Sequence, residues 1–589
     1  MSKFLISNIY DNFKENIKSS KKAGFTSNVE NYRDGYNYIS YDKLNIKTND
    51  YYKCDDGVIF LVGSYVHKKY ENNALEKIFH DFKNNRDINK IKESLLGNYS
   101  ITIDFNNELY CFCDKNDIFD VYYNISDEAW AISNNLNDVN NLYSNNLEIN
   151  KFALIETVFQ FGILDNETIF NSVLRLKGFE YLYFKKGMKK PQIIVHEEKL
   201  YALNTNHIDE YADSVSELCK ESAKIISSKF SNISLCMTGG LDSRVVLSSY
   251  LSSGCSPSLL YGEGNSGLTN TKKKDLEIVE IIESKLGLKL DKMDWSTNEW
   301  FIKHWEPLTR KIGYLGWIYS GIPNVHNELE NIDGNTLVDF GYFGEPFRDI
   351  EVLMEFEKDN YSLSDFLDKM YIKEEVKSYL PPNDYVDFRN RLYKKAEIIC
   401  IRFGLDTESL SKDDFCKIHN EYRKSADTAL VNLMNYYCYS INLLSLPEIE
   451  NRVKCIPSIV KRDSKLLLKV IKNLAPALLN IPVYSHGKNF RLCSKSLTIQ
   501  APKSRSFKKN LRDSLAKLGL RNIKFNYFKN LKKNRKEKND LNNRIKSSLY
   551  NIYPNEPMYK TLVPNKMFES TDLRKLSKFV YFTSMAKRQ

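Results

Sequence analysis

The sequence predicts an α+β N-terminal part built mainly on antiparallel strands, then an α/β part with a doubly wound parallel sheet and a helical C-terminal portion. Three observations carry this. Up to about residue 200, short apolar segments are broken by frequent Asn, Asp and Gly, the spacing of a largely antiparallel sheet with a few helices. From about residue 205, apolar runs suited to buried strands alternate with segments of helical period, the pattern of parallel strands joined by crossover helices. From Glu351 to Leu479 the pattern is mostly helical, and a Lys-rich tail follows.

In chain order, Val58–Gly63, Tyr99–Phe105, Leu109–Cys113 and Val121–Asn124 read as strands of the first part. Ile208, Tyr211, Val215, Leu218 and Ile225 lie near helical spacing, and Ile233–Met237 reads as the strand after that helix. A helix from about Ser243 to Ser253 is stopped by Gly254; Leu259–Tyr261 is a short strand, and a helix from Leu276 to Leu286 is ended by Gly287. Three regions result: 1–200, 205–490 and a basic extension 491–589. That division suits a 589-residue chain at about 150 residues per domain.

Composition narrows the class. Hydrophobic residues at 42% and charged residues at 27% exclude a disordered or fibrous chain. No run of about 18 apolar residues occurs, which argues against a membrane-spanning helix. The apolar patch near Met1 is too short and interrupted for a signal peptide. Eleven scattered cysteines suit reduced thiols better than a disulfide framework, so a cytoplasmic protein is expected. The net charge of +10 is local: residues 501–540 hold 14 Lys and Arg against 3 Asp and Glu, which leaves the rest near neutral. A solvated face explains such a run better than a nucleic-acid site. Eight histidines show no metal-ligand spacing.

The chemistry-bearing motif stands between the Ile233 strand and its helix: Thr238-Gly239-Gly240-Leu241-Asp242-Ser243. Two glycines let the backbone turn tightly and approach a ligand. The helix N-terminus aims unpaired N–H groups and a positive dipole end at the same spot. The hydroxyls of Thr238 and Ser243 add donors, and Asp242 offers a carboxylate to Mg2+. These residues form a pyrophosphate cradle, and the chain has no Walker A run.

This loop resembles the Ser-Gly-Gly-x-Asp-Ser signature of the N-type ATP pyrophosphatases, specifically the glutamine-hydrolysing asparagine synthetase family. Its members adenylate a carboxylate with ATP and let an amine displace AMP. Ser258–Gly262 is similar to the strand whose last apolar residue touches adenine, here Tyr261. Phe340-Gly341-Tyr342-Phe343-Gly344-Glu345-Pro346 stands where the family has Ser-Gly-Glu-Gly-x-Asp-Glu. Ser464–Lys469 resembles the segment whose lysine faces the reacting centre, and Pro447–Glu450 the Pro-Phe-Leu-Asp stretch before it. Gly162–Leu176 is similar to the family linker, and Leu96–Ser100, Asp114 and Ser133–Leu136 follow its N-terminal glutaminase pattern. The resemblance implies a glutaminase-like sandwich of the N-terminal-nucleophile type, an ATP pyrophosphatase domain, and ATP with Mg2+ as cofactors. Asp242 and Glu345 would hold the metal. Thr238, Gly239, Gly240, Leu241, Ser243, Tyr261, Phe340 and Gly341 would bind the nucleotide, and Lys465, with Lys461 as fallback, would stabilise the transition states.

Two departures shape the expected activity. The family's glutaminase nucleophile is a cysteine directly after the initiator Met, whereas this chain has Ser2 and no cysteine before Cys54. Glutamine hydrolysis is therefore not expected of it. The family Glu becomes Tyr342, as in β-lactam synthetase, where a tyrosine helps deprotonate an amine. An alkyl amine with a pKa near about 10 arrives protonated and needs such a base. In that related enzyme a downstream carboxylate pairs with the tyrosine, and Glu374 and Glu375 are the candidates here; Tyr342 packing beneath the nucleotide is the alternative. The resemblance thus implies a small-molecule or peptide carboxylate and a substrate amine, as in β-lactam synthetases or lasso-peptide cyclases. Ammonia, free or from a partner glutaminase, comes second, giving asparagine or an amidated sugar acid. A non-catalytic binding homologue is the third reading.

Overall fold

A computed structural model of the protein describes residues 1–500 apart from 34, 143–148, 161, 197–206, 264–269, 295–310, 313–327, 349–359, 373–375, 378–379, 486–487 and 494–497. The expected boundary at 200–205, Glu374, Glu375 and the basic tail lie outside the described residues.

The N-terminal part is a four-layer sandwich. Strands β1 (Lys3–Ser7), β2 (Ser27–Arg33) and β3 (Tyr36–Tyr41) belong to one antiparallel sheet, with β8 (Tyr122–Ile125), β9 (Trp130–Ser133) and β10 (Leu174–Arg175). Strands β4 (Tyr51–Cys54), β5 (Gly57–His67), β6 (Leu95–Phe105) and β7 (Glu108–Cys113) form the other, with β11 (Glu180–Lys185) and β12 (Gln192–Val195). Because side chains alternate along a strand, β5 sends Val58, Phe60 and Val62 between the sheets, where they meet Phe4, Ile6 and Tyr38. Ile59 and Leu61 go the other way, against Ile78, Phe79 and Phe82 of helix α2 (Ala74–Asn85) and Ile88 and Ile91 of α3 (Ile88–Ser94). On the far side, Leu5, Ile39 and Ala131 are covered by Phe13 and Ile17 of α1 (Tyr10–Lys22) and Leu136 and Val139 of α4 (Leu136–Leu142). Burial on both faces is why β5 reads as an unbroken apolar run rather than an alternation.

The second part carries a parallel sheet in the order β15-β14-β13-β16-β17: β13 (Ile233–Cys236), β14 (Ser258–Glu263), β15 (Leu290–Asp294), β16 (Leu337–Asp339) and β17 (Tyr439–Ser440). The expected helices are present as Ile208–Lys229, Asp242–Ser252 and Asn270–Leu286, and Gly254 and Gly287 follow the last two with φ of +86° and +65°. In the first of these the buried stripe runs through Tyr211, Val215, Cys219 and Ile226; Leu218 and Ile225 are only partly buried. The expected stripe is thus offset by one residue in its second half, because small residues (Ala212, Ser216, Ala223) complete the buried face. The Lys465–Leu474 helix packs on both the Ile208 and Asp242 helices.

The two parts share a core. One apolar cluster contains Leu5, Ile39 and Leu136 of the sandwich together with Leu235, Val246, Leu337 and Leu467 of the second part. The Lys412–Tyr437 helix, begun by a capping box of Ser411 and Asp414, runs along this junction. Its Asn432 bonds the Ile118 carbonyl and the Asp120 carboxylate, and its Asn435 bonds Ser64 and Lys43. Its Lys424 pairs with Asp117 at 3.3 Å. Among the described residues no helix is long and apolar enough to cross a membrane.

Candidate functional site

Strand order positions the site. From β13 the chain steps to β14 and β15 on one side, while β16 lies on the other, so β13 and β16 flank a switch point. Loops leaving the carboxyl ends of strands at such a point form a ligand crevice. Those loops are Thr238–Leu241 and Phe340–Gly344, and they touch. A Cβ on Gly341 (φ +62°) would meet Ser243 at 2.9 Å, and one on Gly344 would meet Asp242 Cγ at 2.1 Å, so glycine is required at both contacts.

The first loop is tied from several sides. Thr238 N–H donates to Ser243 Oγ at 3.2 Å, and Gly240 N–H to Thr238 Oγ1 at 3.3 Å. Gly239 N–H donates to Asp275 Oδ1 at 2.7 Å. Leu241 is buried and takes the N-cap position of the Asp242 helix without a capping side-chain bond of its own. Tyr261 is buried, with its hydroxyl donating to the Lys272 carbonyl at 3.0 Å and to Asp275 Oδ2 at 3.2 Å. It therefore joins the loop through Asp275, with its ring enclosed. Burial raises the Asp275 carboxyl, against the Gly239 N–H, Lys272 and Tyr261.

In the second loop, Phe340 N–H donates to Asn442 Oδ1 at 3.1 Å and Gly341 N–H to Asp339 Oδ1 at 3.0 Å. Gly341 and the buried Phe343 both adopt positive φ (+62° and +65°), flanking Tyr342. A phenylalanine there is strained, by about 1–3 kcal/mol, as at many functional loops. The half-buried Tyr342 ring stacks on Phe340, with centroids 5.5 Å apart and planes at 21°.

Asp242 and Glu345 are brought to the same place and are both held by arginines. Arg348 donates to Asp242 Oδ2 at 2.7 Å. Glu345 faces Arg423 Nε at 3.2 Å and His419 Nε2 at 3.5 Å. Burial would raise Glu345, but His419, Arg423 and Arg348 outweigh it and hold the carboxyl down to about 2. Asp427 is pushed up to about 6 by burial and by the neighbouring Glu345 and Asp242, against Arg423. His419 Nδ1 lies 2.7 Å from the Tyr371 hydroxyl. Mg2+ usually takes one or two carboxylates together with substrate phosphates, so the donor set of Asp242 and Glu345 fits that ion. The ion would compete with the guanidiniums. Among the described residues no group of three or more potential metal ligands occurs.

Lys465 is exposed at the first position of its helix, directly after Asp463 and Ser464, both at positive φ. Among the described residues it makes no hydrogen bond or ion pair with the two loops, although its helix packs on the Asp242 helix, and Lys461 is buried. In the sandwich, Ser2 is fully buried and its hydroxyl donates to the Asp42 carbonyl at 2.5 Å, an acceptor that cannot take up its proton.

Sequence reasoning missed Arg244, Asp275, Arg348, His419, Arg423 and Asp427. The last three recur every four residues, which puts them on one helix face, and that spacing is the signal that was available. Arg244, the single charge between Ser243 and Ser253, was the other. For Asp275 and Arg348 nothing local distinguishes them from a surface charge.

No known family model matches this chain, and no curated protein sequence matches it. Solved structures similar to it in part include three enzymes. Glutamine phosphoribosylpyrophosphate amidotransferase from B. subtilis, complexed with ADP and GMP, is 8% identical over 55% of this chain and 94% of its own, with a TM-score of 0.24. NMN synthetase from Francisella tularensis is 13% identical over 24% of this chain and 57% of its own, TM-score 0.18. An allosteric regulatory enzyme of purine biosynthesis is 8% identical over 50% and 80%, TM-score 0.23. Similarity at this level carries no argument about fold or activity.

Proposed function

We propose that this chain is an ATP-dependent, AMP- and pyrophosphate-forming amide ligase that activates a carboxylate and couples it to a substrate amine. The observation that carries the reading is the meeting of the Thr238–Ser243 and Phe340–Gly344 loops at the switch point, with Asp242 and Glu345 together. The uncapped helix N-terminus and the Gly240 N–H would bind pyrophosphate, with Thr238 and Ser243 donating from their hydroxyls. A magnesium ion on Asp242 and Glu345 would neutralise polyphosphate charge. Tyr342, held between two positive-φ residues, would act as the base in its phenolate form, taking the proton of the attacking amine and becoming the neutral phenol. Lys465 would have to come within reach of the reacting phosphate, and Lys461 remains its alternative.

The buried Ser2 hydroxyl and its carbonyl partner favour a substrate amine over ammonia released from glutamine by this chain. The sandwich at 1–200 then serves as support for the ligase at 205–490. Magnesium-dependent exchange of labelled pyrophosphate into ATP, driven by a panel of carboxylates, tests the reading. Exchange with AMP formation is expected; no exchange with any carboxylate while ATP still binds would favour a non-catalytic binder.

A further inference from the structure

Arg244 follows the pyrophosphate loop directly and is fully buried. Its guanidinium donates to four backbone carbonyls: Nη1 to Leu478 at 3.2 Å and Ile481 at 2.8 Å, Nη2 to Pro482 at 2.8 Å and Gly239 at 3.4 Å. No carboxylate is among these partners. Burial lowers its pKa to about 10, so it stays charged at neutral pH. A buried cation without a counterion is costly, and proteins rarely keep one without a use.

The geometry at Gly239 suggests that use. Its carbonyl is held by Arg244 and also by the Tyr484 N–H at 2.9 Å. In a trans peptide, C=O and the following N–H point in opposite directions. Drawing the Gly239 carbonyl inward therefore turns the Gly240 N–H outward, to the open side of the loop, where its partner is Thr238 Oγ1 at 3.3 Å. The other three carbonyls belong to the segment just after the Lys465–Leu474 helix, so the same guanidinium ties the loop to a segment that packs against that helix.

We propose that Arg244 is the positioning residue of the pyrophosphate loop: its buried guanidinium orients the Gly239–Gly240 peptide toward the anion, and its charge is balanced by the anion that binds there. This rests on the reading of the loop as a pyrophosphate site. Two substitutions separate the two parts of the role. Arg244→Gln removes the charge. Arg244→Lys keeps it but cannot span four carbonyls. Hydrogen bonds to a charged group are worth about 1.5–3 kcal/mol, which converts to a loss of affinity of about 10- to 100-fold.

Calorimetric titration of the full chain with inorganic pyrophosphate is the test, with circular dichroism to show that each variant is folded. Wild type binds; Arg244→Gln loses about 10- to 100-fold, and Arg244→Lys recovers part of the loss. A merely structural arginine would lower thermal stability in both variants and leave pyrophosphate affinity within two-fold of wild type, a result that overturns the proposal. If wild type itself does not bind pyrophosphate, the loop reading falls and this inference with it, a result distinguishable from failure of the variants alone. Should neither variant fold, hydrogen exchange on the unaltered protein decides. Pyrophosphate must then protect the Thr238–Leu241 amides beyond their free-state level, and absence of that gain overturns the proposal.

Discussion

Replacing Gly344 with alanine tests the contact on which the site is built. Gly344 has a φ of −80°, which alanine adopts freely, so the whole effect is steric. The new methyl would lie 2.1 Å from Asp242 Cγ and 2.5 Å from Asp242 Cβ. Rotating the Asp242 side chain relieves the first clash but not the second, because Cβ is fixed to the backbone at the first turn of its helix. Reaching ordinary contact at 3.4 Å or more therefore moves one loop against the other by about 1 Å. Overpacking of this kind costs about 1–3 kcal/mol. Misplacing a reacting or binding group by about 1 Å costs about 10²-fold in rate. The assay pairs urea unfolding with ATP–pyrophosphate exchange, and Gly254→Ala is the control, at φ +86° with open space around it. That control pays only backbone strain, about 1–2 kcal/mol, and keeps its exchange rate. Exchange by Gly344→Ala at the wild-type rate would refute the placement of Asp242 in the site.

Three more outcomes are expected. Tyr342→Phe keeps the stack on Phe340 and the exchange half-reaction but slows amide formation by about 10²- to 10⁴-fold, read from single-turnover product analysis; equal loss in both halves would make the ring a packing element. Arg348→Gln frees Asp242 from a partly exposed ion pair worth up to about 1 kcal/mol, so the Mg2+ concentration that half-saturates exchange falls by up to about five-fold; an unchanged requirement would show that the pair does not compete with the metal. Asp339 is pushed up to about 7 by burial, against the Gly341 and Leu443 N–H groups and the Tyr250 hydroxyl. The native state then binds more protons than the unfolded chain from about pH 4 to 7, so this group adds stability as pH falls through 7, at no more than about 1.4 kcal/mol per pH unit. Urea midpoints at pH 7.5 and 5.5 should show a shallower pH dependence in Asp339→Asn than in wild type, and equal slopes would refute the assignment.

Much of the scaffold was legible because it is written locally. Gly254 and Gly287 mark helix ends through their positive φ, and β5 announces its two buried faces in an unbroken apolar run. The Thr238–Ser243 loop was readable because two glycines, two hydroxyls and a helix start fall in six consecutive residues. The charge pairing of the site was not. Arg348 and Arg423 reach Asp242 and Glu345 only because the strand order places β16 beside β13 and packs the Lys412 helix against the loop that follows, which no short window of sequence records. Two-residue strands such as β10 and β17 lie below what periodicity can show. The family likeness singled out Lys465 as the lysine facing the reacting centre; its exposed place at the start of a helix follows from the turn at Asp463 and Ser464, which no local pattern records.

The shared apolar cluster has a consequence for how such a chain can change over time. Leu5, Ile39 and Leu136 contribute to the same interior as Leu235 and Leu467, and the Lys412–Tyr437 helix is bonded to Ser64 within β5 and to the Ile118 carbonyl in the loop after β7. Cutting away the first two hundred residues would leave that helix with an uncovered apolar flank and stranded polar groups at Asn432, Asn435 and Lys424. A lineage in which the sandwich no longer performed any reaction could exchange its buried residue 2 for another small side chain, but it could not shed the sandwich. Unfolding should accordingly run as one transition across both halves, and the N-terminal half is free to drift in chemistry while being held constant in shape.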